Sequence, residues 1–207
     1  SMIDAFIDDF TGLKQERMQS TLEGSAEGKA IVNTTKPAKT LGQALTIIRQ
    51  QHLDKLNPVQ KILLDVISKL PNVTKGTYKV MGMKKGEYGL FEPFQNKTTI
   101  SPDAGVDTIF HEATHSATAF ELKKHVTMKN GRPVGRTPLG NKLVDIFDVA
   151  EVAAMQQDLK FGEAFKDMDE FIANAYNTVE FQKFLAGERS VVPDAPPVNS
   201  LWTDFVN

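Results

Sequence analysis

Apolar residues recur at helical spacing through the first third of the chain. Residues 3–22, 41–53 and 58–70 each place apolar side chains three or four positions apart, a pattern that predicts amphipathic helices. Pro58 supports the third of these, because proline is favoured in the first turn of a helix. Residues 23–40 are rich in Gly, Ser, Thr and Lys, and we interpret them as a linker or a surface crossing.

The pattern changes in the middle of the chain. Short segments with β-branched and aromatic residues predict two or three antiparallel strands within 72–83, 86–93 and 96–102. Helical spacing then returns in three stretches, 104–122, 139–160 and 167–185. Residues 130–140 are expected to form a loop between the first two. Helices, a small sheet and further helices in this order indicate the α+β class.

We expect one main domain with an appendage on each side. Residues 1–40 are assigned to an N-terminal helix and linker, 41–186 to the main domain, and 187–207 to an extended tail that leads into a further helix. The closing "LWTDFVN" has the pattern of an amphipathic helix that is cut short. Neighbouring domains of a larger polypeptide are therefore expected.

Composition and charge exclude several classes of protein. The 207 residues include no cysteine, which rules out disulfides, thiolate zinc sites and cysteine nucleophiles. A formal net charge of −2 without a basic stripe argues against nucleic acid as a partner. The sequence contains neither an apolar run of membrane-spanning length nor a signal-peptide pattern at its N-terminus. No membrane association is expected, and a cytoplasmic location fits these features.

The stretch "TIFHEATHSATAF", residues 108–120, carries the candidate chemistry. On a helix, His111 and His115 lie one turn apart on the same face, where two imidazole nitrogens can reach one metal ion. Glu112 lies beside the pair, where it can act as a general base without binding the metal. The alternative is a chance pair of histidines on an amphipathic helix. The opposite face is suitably apolar, with Val106, Ile109, Phe110, Ala113, Ala117 and Phe120.

The third ligand must come from elsewhere in the chain, because a catalytic zinc ion has three protein ligands and one open position. Glu170 is the first candidate, since it lies on a partly apolar helix with Asn174 one turn further on. An amide there can accept the free N–H of a ligating imidazole. Glu151, among small apolar residues, and His125, on the loop after the motif helix, are the other candidates. His52 is interpreted as a solvated residue at a helix end.

Two of these segments together resemble a known family. "TIFHEATHSATAFEL", followed about fifty residues later by "DEFIANAYNTVEFQKFL", is similar to the zincin-like metallopeptidase domains inside very large phage and mobile-element proteins, the polyvalent proteins. The upstream "GEYGLF…NKTTIS" and the downstream "SLWTDFV" match the same layout. The resemblance covers roughly residues 75–207, and the first 70 residues carry none.

The resemblance implies a zincin-like α+β fold and a Zn²⁺ ion bound by His111, His115 and Glu170. It also implies that Glu112 is the catalytic base and that Asn174 supports a ligand histidine, at a position that is usually acidic in the family. The substrate would be a protein or peptide, and the setting would be cytoplasmic or virion-associated.

Further residues are expected to bind substrate and to stabilise the oxyanion. The strand just before the motif helix is expected to expose an edge on which an extended peptide binds by strand addition, through Thr98, Thr99 and Ile100. Tyr176 is the candidate donor to the oxyanion, with His125 and Tyr88 as alternatives.

Two other functions are compatible with parts of the pattern. A catalytically inactive metal-binding module of a virion or an injected protein would keep the ligands but would have no need of Glu112. An anti-restriction or nucleic-acid-associated protein is disfavoured by the acidic net charge. The intact Glu112 therefore favours a zinc-dependent metallopeptidase.

Overall fold

The computed structural model describes residues 25–190 and 200–206. Within these ranges the chain divides into two units, one of residues 25–119 and one that begins at Phe120. Helix α5, introduced below, starts in the first unit and ends in the second. The helix predicted at 3–22 lies outside the described residues, as does most of the predicted extended tail.

In the described part of the first unit, four α-helices precede the sheet. They are α1 (Ala26–Thr34), α2 (Leu41–His52), α3 (Pro58–Ile67) and α4 (Pro71–Lys75), and a 3₁₀ turn, Leu53–Lys55, follows α2. Thr40 and Asn57 start α2 and α3 with capping boxes, in which Gln43 and Gln60 bond back to the preceding backbone. The two helices predicted over 41–53 and 58–70 are confirmed.

Helix α1 corrects the interpretation of residues 23–40 as a linker. Ser25 caps α1 through its hydroxyl, which accepts the N–H of Gly28 at 3.0 Å, and Ile31 and Val32 are fully buried. These two apolar residues lie in a segment that is otherwise rich in Gly, Lys and Thr. Its composition therefore did not indicate a short helix with one buried face.

The three strands of the first unit form a mixed sheet. They are β1 (Thr77–Val80), β2 (Gly89–Glu92) and β3 (Lys97–Ile100), and their order is β1-β3-β2. β3 pairs with β2 in antiparallel and with β1 in parallel orientation. The prediction of a purely antiparallel sheet is therefore wrong for β1. The long helix α5 (Val106–His125) follows β3, and Ile109 and Phe110 on its first turns are fully buried.

The second unit contains a β-hairpin where the sequence predicted a loop. β4 (Val126–Lys129) and β5 (Arg132–Gly135) pair in antiparallel orientation. Asn130 and Gly131 join them with φ of 52° and 76°. Positive φ at both central residues is the backbone of a two-residue hairpin turn, for which Asn-Gly is a preferred sequence. Pro133 within β5 weakened the strand signal.

The remaining described helices surround a cluster of phenylalanines. They are α6 (Pro138–Gln156), α7 (Met168–Asn177), α8 (Val179–Gly187) and α9 (Leu201–Val206). The helix predicted over 167–185 is divided at Thr178, whose backbone is extended. Phe171 lies at the centre of the cluster, with ring centroids 5.3 Å from those of Phe147 and Phe181. Helices with two small sheets confirm the α+β class.

His52 is buried rather than solvated as the sequence suggested. Its side chain is 9% exposed, and Nε2 lies 2.9 Å from the hydroxyl of Thr34. That hydroxyl donates to the carbonyl of Ile31, so it accepts from Nε2–H. Nδ1 has no hydrogen-bond partner within the described residues. Burial lowers the pKa of His52, Lys55 lowers it further, and Asp54 and Glu27 partly offset the effect.

We therefore expect the metal-free protein to lose stability when the pH falls below about 6.5, the ordinary pKa of an unfolded histidine. Between the folded and unfolded pKa values the unfolded chain binds the extra proton, so acid favours unfolding. In His52→Gln, whose amide can still donate to Thr34 but does not titrate, Tm should fall less between pH 7.5 and pH 5.5. Parallel Tm curves for the two proteins would contradict this assignment.

Candidate metal centre

The two motif histidines of α5 point their ring nitrogens at one another. Nε2 of His111 lies 3.1 Å from Nε2 of His115, and the rings meet almost at right angles with centroids 4.7 Å apart. Zn–N bonds of 2.0–2.1 Å at a tetrahedral ion place two nitrogens about 3.3 Å apart. Spacing of i and i+4 on one helix therefore holds two donors at the separation that a bound ion requires.

The face that carries the motif is itself largely covered. Glu112 and His115 are each 7% exposed, and His111 is half-buried. On the opposite face Val106, Ile109, Phe110 and Ala113 are fully buried, as predicted. Phe120, expected on the same apolar face, is 47% exposed, so the buried part of the helix ends before it.

Polar contacts on both sides of the motif fix the position of α5. Near its start, the amide of Gln60 donates to the carboxylate of Asp107. Just after His115, the carbonyl of Ser116 accepts the side-chain amide of Asn72. The hydroxyl of Ser116 lies 3.3 Å from Oδ1 of Asn96. These contacts could not be predicted from the sequence, because isolated Asn, Gln and Ser carry no local signal for a contact across the fold.

Glu170 lies in the first turn of α7. Asp167 caps this helix, with its carboxylate accepting the N–H of Glu170 at 2.9 Å. The following turn is anchored by Phe171 and Ala175, which are fully buried. Because Asp167 serves as the cap, the side chain of Glu170 is not needed for that role.

His111, His115 and Glu170 form a cluster that can hold a metal ion. Each offers one ligand atom, and these atoms all lie within 4.8 Å of one another. Two imidazole nitrogens and one carboxylate oxygen match the three protein ligands of many catalytic zinc sites. The donor set therefore fits zinc, although the same ligand types also bind other divalent transition metals.

The rival ligands considered from the sequence have structural partners. Nδ1 of His125 lies 2.9 Å from the hydroxyl of Thr137, and its Nε2 lies 3.5 Å from a carboxylate oxygen of Glu121. Thr137 caps α6, so His125 connects the end of α5 to the start of α6. The carboxylate of Glu151 forms an ion pair with Arg132.

Asn174 forms two hydrogen bonds in the last turns of α7. Its amide N–H donates to the carbonyl of Glu170 at 2.8 Å, and its Oδ1 accepts the hydroxyl of Thr178 at 3.0 Å. These bonds hold the last turns of α7 and do not involve an imidazole. The predicted support of a ligand histidine by Asn174 stays a prediction.

The strand predicted to bind substrate, β3, has no unpaired edge within the described sheet. β3 is the central strand, and its pairing with β1 and β2 occupies both edges. Thr98, Thr99 and Ile100 are 1%, 6% and 0% exposed. Strand addition at these residues is therefore ruled out. The prediction was wrong because local sequence indicates that a segment is a strand but not which strands lie beside it.

Comparisons of the chain with models of protein families, with curated proteins and with solved structures found no match. Among the described residues, no helix has both the length and the apolar character needed to cross a membrane.

The ligand assignment predicts one metal ion per chain. We expect purified protein to contain one equivalent of zinc, and His115→Ala and Glu170→Ala to lower zinc affinity by at least about a hundredfold, since even partners of ligands contribute about 10–100-fold. Inductively coupled plasma mass spectrometry after dialysis, followed by titration with zinc, measures both quantities. Glu151→Ala removes the rival carboxylate and should keep the metal. Loss of zinc in that variant, with retention in Glu170→Ala, would contradict the assignment.

Proposed function

We propose that the protein is a zinc-dependent metallopeptidase domain that hydrolyses peptide bonds. The observation that carries the proposal is the pair of imidazole nitrogens 3.1 Å apart on α5, with the carboxylate of Glu112 buried beside them. A purely structural metal site would need donors but no adjacent carboxylate. Glutamate at this position of a His-Glu-x-x-His helix is the general base of metallopeptidases.

In this proposal the protein residues divide into binding, base and positioning roles. His111, His115 and Glu170 hold the ion, which when bound would supply Lewis-acid polarisation of the scissile carbonyl and of water. Glu112 accepts a proton from the attacking water and passes it to the amine that leaves. Burial of Glu112 keeps bulk water away from this proton transfer.

Tyr176 remains the predicted donor to the oxyanion. The centroid of its ring lies 5.3 Å from that of the Phe205 ring. Burial raises the pKa of its phenol to about 12. The hydroxyl therefore keeps its proton at neutral pH and is able to donate a hydrogen bond to a developing negative charge.

We place the proposed peptide-binding edge on β2 instead of β3. β2 pairs with β3 on one side, and no other described strand pairs with it. Gly89, the first residue of β2, lies directly against Glu112. An extended substrate added to the free edge of β2 would run close to the proposed base.

The resemblance to domains of polyvalent proteins suggests the biological setting. We propose that the domain works within a larger phage or mobile-element protein, in the cytoplasm or in association with a virion. Its substrate would be the parent polypeptide or a host protein. A zinc-loaded protein without any peptidase activity would favour the alternative, a metal-binding structural module.

Glu112→Gln should abolish hydrolysis while zinc remains bound. General-base catalysis contributes about 10²–10⁴-fold, so we expect the rate to fall at least a hundredfold. A library of internally quenched peptides, with mass spectrometry of the products, measures the activity. Glu121→Gln is the matched control, because Glu121 is exposed on the same helix and pairs with Lys124. Retained activity in Glu112→Gln would refute Glu112 as the base.

A further inference from the structure

The backbone of β2 leaves a space at Gly89 that the side chain of Glu112 fills. A Cβ atom added to Gly89 would lie 2.6 Å from Oε1 and 2.9 Å from Cγ of Glu112. It would also lie 2.6 Å from Cγ2 of Thr108, one turn earlier on α5. These separations are shorter than a nonbonded contact of a Cβ atom with carbon or oxygen allows. Any residue other than glycine would therefore displace a neighbour.

The backbone conformation does not require glycine at this position. Gly86, Gly131 and Gly162 are the described glycines with positive φ, and Gly89 is not among them. Glycine in a strand weakens the strand, because it loses more conformational entropy on folding and offers no side chain to pack. Close approach of the helix is the remaining reason for glycine here.

We propose that Gly89 is a positioning residue for Glu112. This inference rests on the proposed peptidase function, in which Glu112 is the base. Gly89 is paired with Ile100 of the central strand, and the carbonyl of Tyr88 accepts the N–H of Ser101 at 2.8 Å. Backbone hydrogen bonds therefore hold β2 in the sheet, and side-chain hydrogen bonds from Gln60 and Asn72 hold α5. The carboxylate lies in the gap between two fixed backbones.

A methyl group at position 89 should move the carboxylate rather than either backbone. Rotation of a glutamate side chain is less costly than displacement of a hydrogen-bonded strand or of a helix. A shift of about 1 Å in a catalytic group can lower a rate on the order of 10²-fold. Gly89 would thus affect the chemical step although it contacts neither metal nor substrate through a side chain.

The activity test compares Gly89→Ala with Gly82→Ala. A Cβ at Gly82 meets no atom within 4 Å, so this variant makes the same chemical change without the collision. We expect Gly89→Ala to lower kcat by about tenfold or more, with zinc content and KM nearly unchanged, and Gly82→Ala to behave as wild type. Adding Thr108→Ser to Gly89→Ala removes only the contact between the new Cβ and Cγ2 of residue 108. If that second change restores kcat, Thr108 rather than Glu112 is the relevant neighbour and the proposal is overturned.

A second test uses stability and needs no activity. Overpacking by one methyl group should lower the Tm of Gly89→Ala by about 2–10 °C. With Thr108→Ser present in every variant compared, so that its Cγ2 contact is absent, the same change should lower Tm much less in the Glu112→Ala background, where the carboxylate is also absent. Equal losses in both backgrounds would show that Glu112 does not fill the space at Gly89, and the proposal would fail.

The two tests separate the positioning role from the peptidase function. An inactive wild type that shows the Tm coupling would refute the proposed function, and with it any catalytic effect of Gly89, while confirming the contact. An active wild type without the coupling, or with normal kcat in Gly89→Ala, would refute only the positioning role.

Discussion

The candidate site depends on the burial of polar side chains in the middle of α5. Glu112 and His115 are each 7% exposed, although Ile109 and Phe110 of the same helix are fully buried in the apolar core. Polar groups removed from water are costly unless they have partners, and an ionised carboxylate is the most costly of them. A helix that is covered on both faces in this way must have closely fitted neighbours on each side.

Those neighbours act through side-chain contacts on both sides of the motif. Gln60 bonds to Asp107 in the first turn of α5, and Asn72 bonds to the carbonyl of Ser116, directly after His115. With anchors before and after the motif, the helix can neither slide along its axis nor turn about it without breaking a partly buried hydrogen bond. The relative position of the two imidazoles then follows from helix geometry alone, since residues i and i+4 share one face.

Helix periodicity and the motif could be predicted from the sequence because both are local properties. The spacing of apolar residues predicted α2, α3 and α5, and the His-Glu-x-x-His pattern identified the pair that the structure brings to 3.1 Å. Strand order could not be predicted, because the parallel pairing of β1 with β3 joins segments about twenty residues apart. The β4–β5 hairpin was missed although Asn130-Gly131 is a strong turn signal, since Pro133 made the following strand look like a loop.

Glu112 could be identified from its motif, whereas its contact with Gly89 could not be predicted from the sequence. Each is an unfavourable choice when taken alone, because glycine weakens a strand and a carboxylate is costly in a core. General preferences would favour an apolar residue at a buried helix position and a β-branched residue within a strand. The structure places the two unfavourable choices in direct contact. Stability alone does not account for this pairing, whereas the proposed role of Glu112 as a base, with Gly89 as its positioning residue, would account for both residues together.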